Sequence, residues 1–356
     1  MGLFRTLCFL VATVAALVSC RIETGTSKGG YIATLSSTYD CRSVFVCRDI
    51  EVRNQEFDET FIAISDPGYR FAGWRSRDHG LCGGSKDLCR LSTAEFDEND
   101  ALRAFLESDE SVFLFADFAP AENIPAGDGR GIDCFNPTLY LPGVSINRTT
   151  LTIENGVEYE TTFSGVVAAD AEFESGFGPV VRRGQVFEQN GLGTIEGEMR
   201  QVVRREFYRL AAPGRLLDFG SEQSALFRSV TSESAFRDPP RVDLRDLYPG
   251  QSYDQRYLEE ISFAEDGILN RRKISVSETI TFHGHEVVTL PSGSYEACRF
   301  SEMRESDDAI TTSEKWYGVA NGLLLQQISA GSVVKLVAAS VDGVDMLGNG
   351  EAATDL

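Results

Sequence analysis

Few residues in this sequence have the types and spacing that chemistry needs. It contains three histidines. Two stand in His283-Gly284-His285, so on a strand both imidazoles would share a face and could offer a transition metal two nitrogen ligands. Glu286 would point the other way, and a third ligand would have to come from elsewhere in the fold. The other reading of the pair is an exposed edge strand. Ser332 to Lys335 has the Ser-x-x-Lys spacing of an acylating serine, but it lies in the β-branched run GSVVKLV and does not open a helix. No Gly-x-Ser-x-Gly turn is there to present a nucleophile. Asp97, Glu98, Asp100, Asp307 and Asp308 gather acid groups without the spacing of a calcium loop. Gly127 to Gly131 lacks the Lys-Ser or Lys-Thr pair of a phosphate loop. These residues predict a chain that is not an enzyme and needs no cofactor. A hydrolase or metal-dependent enzyme built on His283 and His285 ranks third among the readings.

The N-terminus carries a different chemistry. Residues 1–19 hold one charge, Arg5, and an apolar stretch from Leu7 to Val18 that is too short to span a bilayer but has the length of a signal-peptide core. The stretch closes on Leu17-Val18-Ser19-Cys20. That order resembles the bacterial lipobox, and the resemblance implies cleavage before Cys20, diacylation of its thiol and attachment to the bilayer through the acyl chains. Arg21 stands where an inner-membrane retention signal would have Asp, so the resemblance also implies an outer-membrane lipoprotein facing the periplasm or the exterior. After Cys20 no apolar run is long enough to cross a membrane as a helix. The formal net charge is -21. Losing Arg5 makes it one unit more negative, which argues against nucleic acid and anionic lipid as partners.

Eight cysteines are present. Setting aside Cys8 in the leader and Cys20 leaves Cys41, Cys47, Cys82, Cys89, Cys134 and Cys298, an even number suited to an oxidising compartment. Their spacing suggests local bridges Cys41 to Cys47 and Cys82 to Cys89, with Cys134 and Cys298 as a long-range pair, among fifteen connectivities that the sequence permits. On the chain-entropy model the local loops contribute about 2 kcal/mol each and the long one up to about 5 kcal/mol. Zinc would call for C-x-x-C pairs, which are absent, and the nearby His79 stands alone.

These groups must be positioned by mainly β elements in two regions. Residues 20–30 are polar and Gly-rich and read as a tether. A small domain spans 31–118, with strand-like runs at Tyr31 to Ser36, Ser43 to Val52, Thr60 to Ile64 and Ser111 to Phe118. One helix is expected over Asp100 to Ser108, where Leu102, Phe105 and Leu106 share a face. Within this domain Gly68, Phe71, Gly73 and Trp74, followed by Cys82 and Cys89, resemble a divergent internalin-type B-repeat. The resemblance implies a β-grasp-like module closed by a strand at Val112 to Phe118. Residues 119–131 read as a linker.

From 132 to 344 the alternation is β throughout, with turn pairs Asn155-Gly156, Asn190-Gly191, Asp266-Gly267 and Asn321-Gly322 between apolar runs. A large curved antiparallel sheet or open barrel is expected, with a flexible tail over 345–356. Pro291, Gly293, Cys298, Trp316, Tyr317 and Gly322 resemble an uncharacterised domain of bacterial envelope proteins, which carries a fold expectation only. The function expected is recognition or scaffolding by a membrane-anchored envelope lipoprotein, with an unidentified protein or glycan partner. The alternative is a carrier holding a lipid or other apolar ligand in the curved sheet.

Overall fold

The computed structural model describes residues 20–41, 48–52, 57–94, 104, 108, 110–120, 128–178, 180–195, 198–224, 230–265, 268–307 and 309–348. Nearly all of them are strand. The first seven strands are β1 (Cys20–Thr26), β2 (Gly30–Thr34), β3 (Arg48–Val52), β4 (Asp58–Ser65), β5 (Tyr69–Trp74), β6 (Cys89–Ser92) and β7 (Ser111–Pro120). Four of them form a separate mixed sheet in the order β3-β1-β7-β5, with the central pair, β1 and β7, parallel. The expected tether is therefore corrected: its first part is a central strand. The polarity of this segment comes partly from threonines, which suit a pleated surface, and Ile22 and Thr24 are fully buried there. Trp74 packs inside the module, edge-on to Phe71 at 5.2 Å, and its indole N–H donates to the Asp87 carbonyl at 2.7 Å. The helix expected over Asp100 to Ser108 falls on a stretch in which only Ala104 and Ser108 are described.

Twelve consecutive strands then make a closed up-and-down barrel. They are β8 (Ser145–Glu154), β9 (Val157–Glu174), β10 (Val181–Ile195), β11 (Glu198–Ala212), β12 (Arg215–Ser224), β13 (Val230–Leu244), β14 (Ser252–Glu265), β15 (Ile268–Leu290), β16 (Gly293–Ser306), β17 (Ile310–Gly318), β18 (Leu324–Ser329) and β19 (Ser332–Val341). Each pairs antiparallel with the next, and β19 pairs back onto β8, with Val333 opposite Ile153. Closure leaves the ring without a free edge except where its seam parts. Asn155-Gly156 makes a hairpin turn as expected, both residues having positive φ, and Gly322 turns the chain from β17 to β18. Asn190-Gly191 does not turn; it lies within β10, where a Cβ on Gly191 would meet the Phe163 ring at 2.4 Å. Asp266-Gly267 lies outside the described residues.

The seam of the barrel lies between β13 and β14. The two strands pair from Val230 to Asp238 and then part. Pro239 and Pro240 follow, and neither has an N–H to continue the ladder. Beyond them the start of β14 pairs with β4, Tyr253 opposite Ile64, and β4 pairs with β2. The sheet thus rolls past its own seam, so the two expected domains share one sheet and one core. Tyr31, Ile62 and Ile64 pack in that core with Phe173, Phe207, Phe219, Phe236, Val242 and Leu244 from β9 and β11 to β13. Side chains replace the missing ladder: the Tyr253 hydroxyl donates to the Val242 carbonyl at 2.9 Å, and Gln255 accepts from the Val242 N–H at 2.8 Å.

One end of the barrel is closed by the segment that precedes it. Gly131–Cys134 and Pro137–Tyr140 form two short 3-10 turns. Phe135 and Leu139 from these turns are buried with Ile146, Leu216, Leu325 and Leu336 of the wall. The flexible tail expected from 345 is corrected at its start, because Leu347 is buried in the same cluster and Met346 packs against it. Residues 349–356 lie outside the described residues.

Candidate functional site

Period-2 alternation gives each barrel strand one face on the lumen and one outside. The outward faces are polar, with Glu160, Thr162 and Ser164 on β9 and Ser277, Thr279 and Thr281 on β15. Across β10, β11 and β12, Arg205 bridges Glu188 at 2.7 Å and Glu222 at 3.4 Å. A surface of this kind faces water; a barrel wall in lipid carries an apolar band.

The inward faces hold the unexpected feature. They enclose a cavity of about 1460 Å³ that reaches from Tyr140 at the plugged end to Glu154, Asn155 and Ser329 at the opposite rim. Its lining includes seven basic side chains (Arg148, Arg204, Arg237, Arg241, Arg245, Arg304 and Lys315) and seven acidic ones (Glu154, Glu158, Glu206, Asp218, Asp243, Glu278 and Glu302). Tyr140, Tyr159, Tyr208, Tyr257 and Tyr317 supply aromatic faces among them.

Most of these charges are tied to one another. Arg245 and Asp243 make a two-point pair, both contacts 2.7 Å, and the Arg245 guanidinium lies 3.5 Å from the Tyr317 ring centroid. Arg241 reaches Glu278 at 2.8 Å and Glu302 at 3.0 Å, while Lys315 reaches Glu302 at 2.7 Å. Arg237 joins Asp218 at 2.5 Å and Glu259 at 3.2 Å, and Glu259 also pairs with Arg304. Burial by itself raises a carboxyl pKa, but these cations outweigh it. Arg245, Arg241 and Lys315 hold Asp243 at about 2 against burial. Glu302 and Glu206 likewise end below the ordinary glutamate range, Glu206 through Arg204 and Arg148. Burial pushes Tyr257 up to about 12 and also raises Tyr140 and Tyr208. At neutral pH Asp243, Glu206 and Glu302 are therefore ions, and Tyr140, Tyr208 and Tyr257 are neutral phenols.

No motif in the sequence marks these carboxylates and arginines as a group. The segment Arg241-Val242-Asp243-Leu244-Arg245 held the signal, since strict alternation of charge with apolar residues marks a strand with two unlike faces. Local sequence cannot say which face is inside. Here Val242 and Leu244 face the rolled overlap of the sheet, and the charged face takes the lumen.

The residues singled out beforehand are dispersed. The shared face expected for His283 and His285 is corrected: a bulge in β15 between Phe282 and Gly284 shifts the register at His283, so the two imidazoles do not converge. His283 hydrogen-bonds the Ser301 hydroxyl at 2.7 Å, whereas His285 contacts Glu296 at 3.1 Å and the Arg130 carbonyl at 3.2 Å. Burial lowers the His283 pKa, with Arg299 adding to it. Cys134, His285 and Cys298 bring ligand atoms within 4.8 Å of one another, but the two cysteines are bonded to each other. Ser332 and Lys335 both lie in the extended β19, where Lys335 pairs with Leu151 and Gln326. Cys82 is bonded to Cys89, and Cys41 is disulfide-bonded; Cys47 lies outside the described residues.

Cys20 carries a free thiol, 2% exposed, in the core of the small module beside Ile22, Cys41 and Val52. Burial raises its pKa. A diacylglyceryl thioether at that sulfur does not fit this core, so acylation requires the first residue of β1 to leave its place opposite Val52.

Fold and site together define a plugged, closed meander barrel with an ion-lined lumen, joined through a shared sheet to a small mixed module. No family model and no curated protein matches the chain. Among solved structures it is similar to an exported protein of Bacteroides fragilis with a YmcC-like fold, at 14% identity and TM-score 0.31, over 57% of this chain and 96% of that one. It is also similar to the lipoprotein YmcC of Escherichia coli, at 13% identity and TM-score 0.27, over 57% and 87% of the two chains. A lipoprotein of Parabacteroides distasonis has 12% identity and TM-score 0.28, with 55% and 94% covered.

Proposed function

We propose that the chain is a lipid-anchored bacterial envelope protein that acts by recognition, without catalysis, and that the barrel lumen is its binding site for a polar, polyhydroxylated ligand of saccharide type. The observation that carries the ligand class is the lining itself: fixed ions and phenols around a cavity of about 1460 Å³. Charged side chains held in pairs still offer hydrogen bonds to hydroxyl groups, and tyrosine faces stack on sugar rings. An apolar ligand would strip water from the same ions with nothing in return, which speaks against the lipid carrier.

A recognition role without catalysis rests on the acids. A glycosidase needs one carboxyl kept protonated beside one that is ionised. The lumen carboxyls Glu206, Asp243 and Glu302 are all pushed down and engaged by cations. The anchor rests on the lipobox resemblance ending at Cys20, and outer-membrane placement on Arg21. The divergent B-repeat reading of residues 31–118 belongs to the same proposal.

An oligosaccharide array probed with the purified chain tests the ligand class. Binding is expected for the wild type and not for Thr150→Trp, which places an indole among the lumen residues Arg148 and Thr152 without touching the ion pairs. Glycan binding that survives Thr150→Trp in a folded variant, or retention of hydrocarbon ligands in place of glycans, would overturn the lumen reading.

A further inference from the structure

Arg148 breaks the pattern of the lumen. Of the seven basic side chains that line it, six have a carboxylate within ion-pair distance; Arg148, among the described residues, has none. Among the described residues its hydrogen-bond acceptor is the neutral Gln189 amide, whose oxygen takes an Nη2 proton at 2.5 Å. Arg148 projects from β8 and Gln189 from β10. The strand between them, β9, carries Gly165 opposite Gln189, so no side chain separates the two. A Cβ at Gly165 would lie 3.0 Å from Gln189 Cγ and 2.6 Å from the Phe187 ring.

Two donors of this pair are buried without an acceptor: Arg148 Nε and Gln189 Nε2. The Tyr208 hydroxyl, further toward the plugged end on β11, is also buried and unpartnered. Arg204, opposite Gln189 on β11, adds a second cation and shares its charge with Glu206 at 3.1 Å. Local charge from Arg148, Arg204 and Glu206 is therefore net positive in a chain whose overall charge is -21. A partly buried guanidinium with no carboxylate within ion-pair distance is costly, and the N–H groups of Arg148 and Gln189 without acceptors add to that cost. An anionic acceptor on the lumen side of Arg148 supplies the missing counter-charge, with the fully buried Gln189 holding the guanidinium from behind.

We infer that Arg148, held in place by Gln189, forms an anion subsite deep in the lumen, which takes the acidic substituent, carboxylate or phosphate, of the bound ligand. The inference rests on the lumen reading above and narrows it from polyhydroxylated ligands to acidic ones. Neutral parts of the ligand lie toward the rim, where Glu154 and Glu158 face the opening and would repel a second acid group.

Nitrogen-15 NMR of the arginine side chains in the full chain tests the subsite directly. The Arg148 Nε–H signal is identified by its absence in Arg148→Gln, and the exposed Arg183 serves as an internal control. D-glucuronate, inorganic phosphate and neutral D-glucose are titrated separately. Saturable movement of the Arg148 signal with glucuronate or phosphate is expected at about one tenth of the concentration that moves Arg183, and no movement with glucose. The acid that saturates first distinguishes a carboxylate from a phosphate ligand. Arg148 and Arg183 responding in parallel, or Arg148 not responding to either anion, would overturn the subsite. If Arg148 responds but the wild type binds no oligosaccharide on the array, the subsite stands and the saccharide reading fails. If oligosaccharides bind equally well to wild type and Arg148→Gln, the saccharide reading stands and the subsite fails.

Discussion

Asp243 shows how far burial and pairing can move one residue. Its carboxyl is held at about 2 in the folded chain against an ordinary value of 3.8. A depressed carboxyl stabilises the fold above its unfolded pKa, and that stabilisation is lost as pH falls through the folded value. Urea unfolding of wild type and Asp243→Asn should accordingly differ most at neutral pH and converge as pH drops from 3.8 to about 2; a constant gap would exclude the Arg245 pair as its source. Arg215 makes the parallel case at the junction of barrel and module. Its guanidinium is 1% exposed and binds both oxygens of Asp40, at 3.0 and 2.6 Å. Arg215→Ala leaves Asp40 without its partner, and a loss of about 3 kcal/mol in unfolding free energy is expected from breaking one side of a buried pair. None of this was legible in the sequence, where both residues are single charges 175 positions apart.

Among the elements, the plug and the first strand carry separable predictions. Cys134 lies in the plug and Cys298 in β16, and their bond closes a loop with a sequence separation of 164. Cys298→Ser should lower stability by roughly 5 kcal/mol on the loop-entropy model, read from the urea midpoint. It should also speed hydrogen exchange over 131–141 before the barrel strands, because without the bond the plug is held only by apolar packing and a few contacts such as Gly131 N–H to the Leu247 carbonyl and Arg130 to Asp246. β1 opposes the sequence reading more sharply. Intact-mass spectrometry of membrane-extracted protein should find a chain starting at Cys20 with acyl chains attached. Hydrogen exchange in that form should show Arg21 less protected than Thr24, since the acylated first residue has left the sheet. An unacylated chain with Cys20 and Arg21 fully protected would remove the anchor. The Cys82–Cys89 and Cys134–Cys298 pairings were legible from spacing and elimination. The tether was misjudged because threonine and glycine read as linker until a neighbouring strand such as β7 is present to pair with them.

For the molecule as a whole, the rolled core between barrel and module holds the lumen's shape. Phe173 stacks on Phe207 with ring centroids 4.1 Å apart and packs with Phe236 and the module's Ile62. Phe173→Ala should cost about 3 to 5 kcal/mol and should unfold barrel and module in one transition; two separate calorimetric transitions would contradict a shared core. The sequence by itself determined the β class, the hairpin turns at Asn155-Gly156 and Asn321-Gly322, most of the run of strands from Ser145 to Val341 and a paired set of cysteines. Those features follow from side-chain period and local backbone preference. It did not reveal β13, because Pro239-Pro240 argues against a strand until β4 is there to take over the seam. Nor did it reveal the lumen. Alternation states that Arg241, Asp243 and Arg245 share a face, and which side of a sheet becomes its interior is decided only when β19 pairs with β8 and the sheet closes.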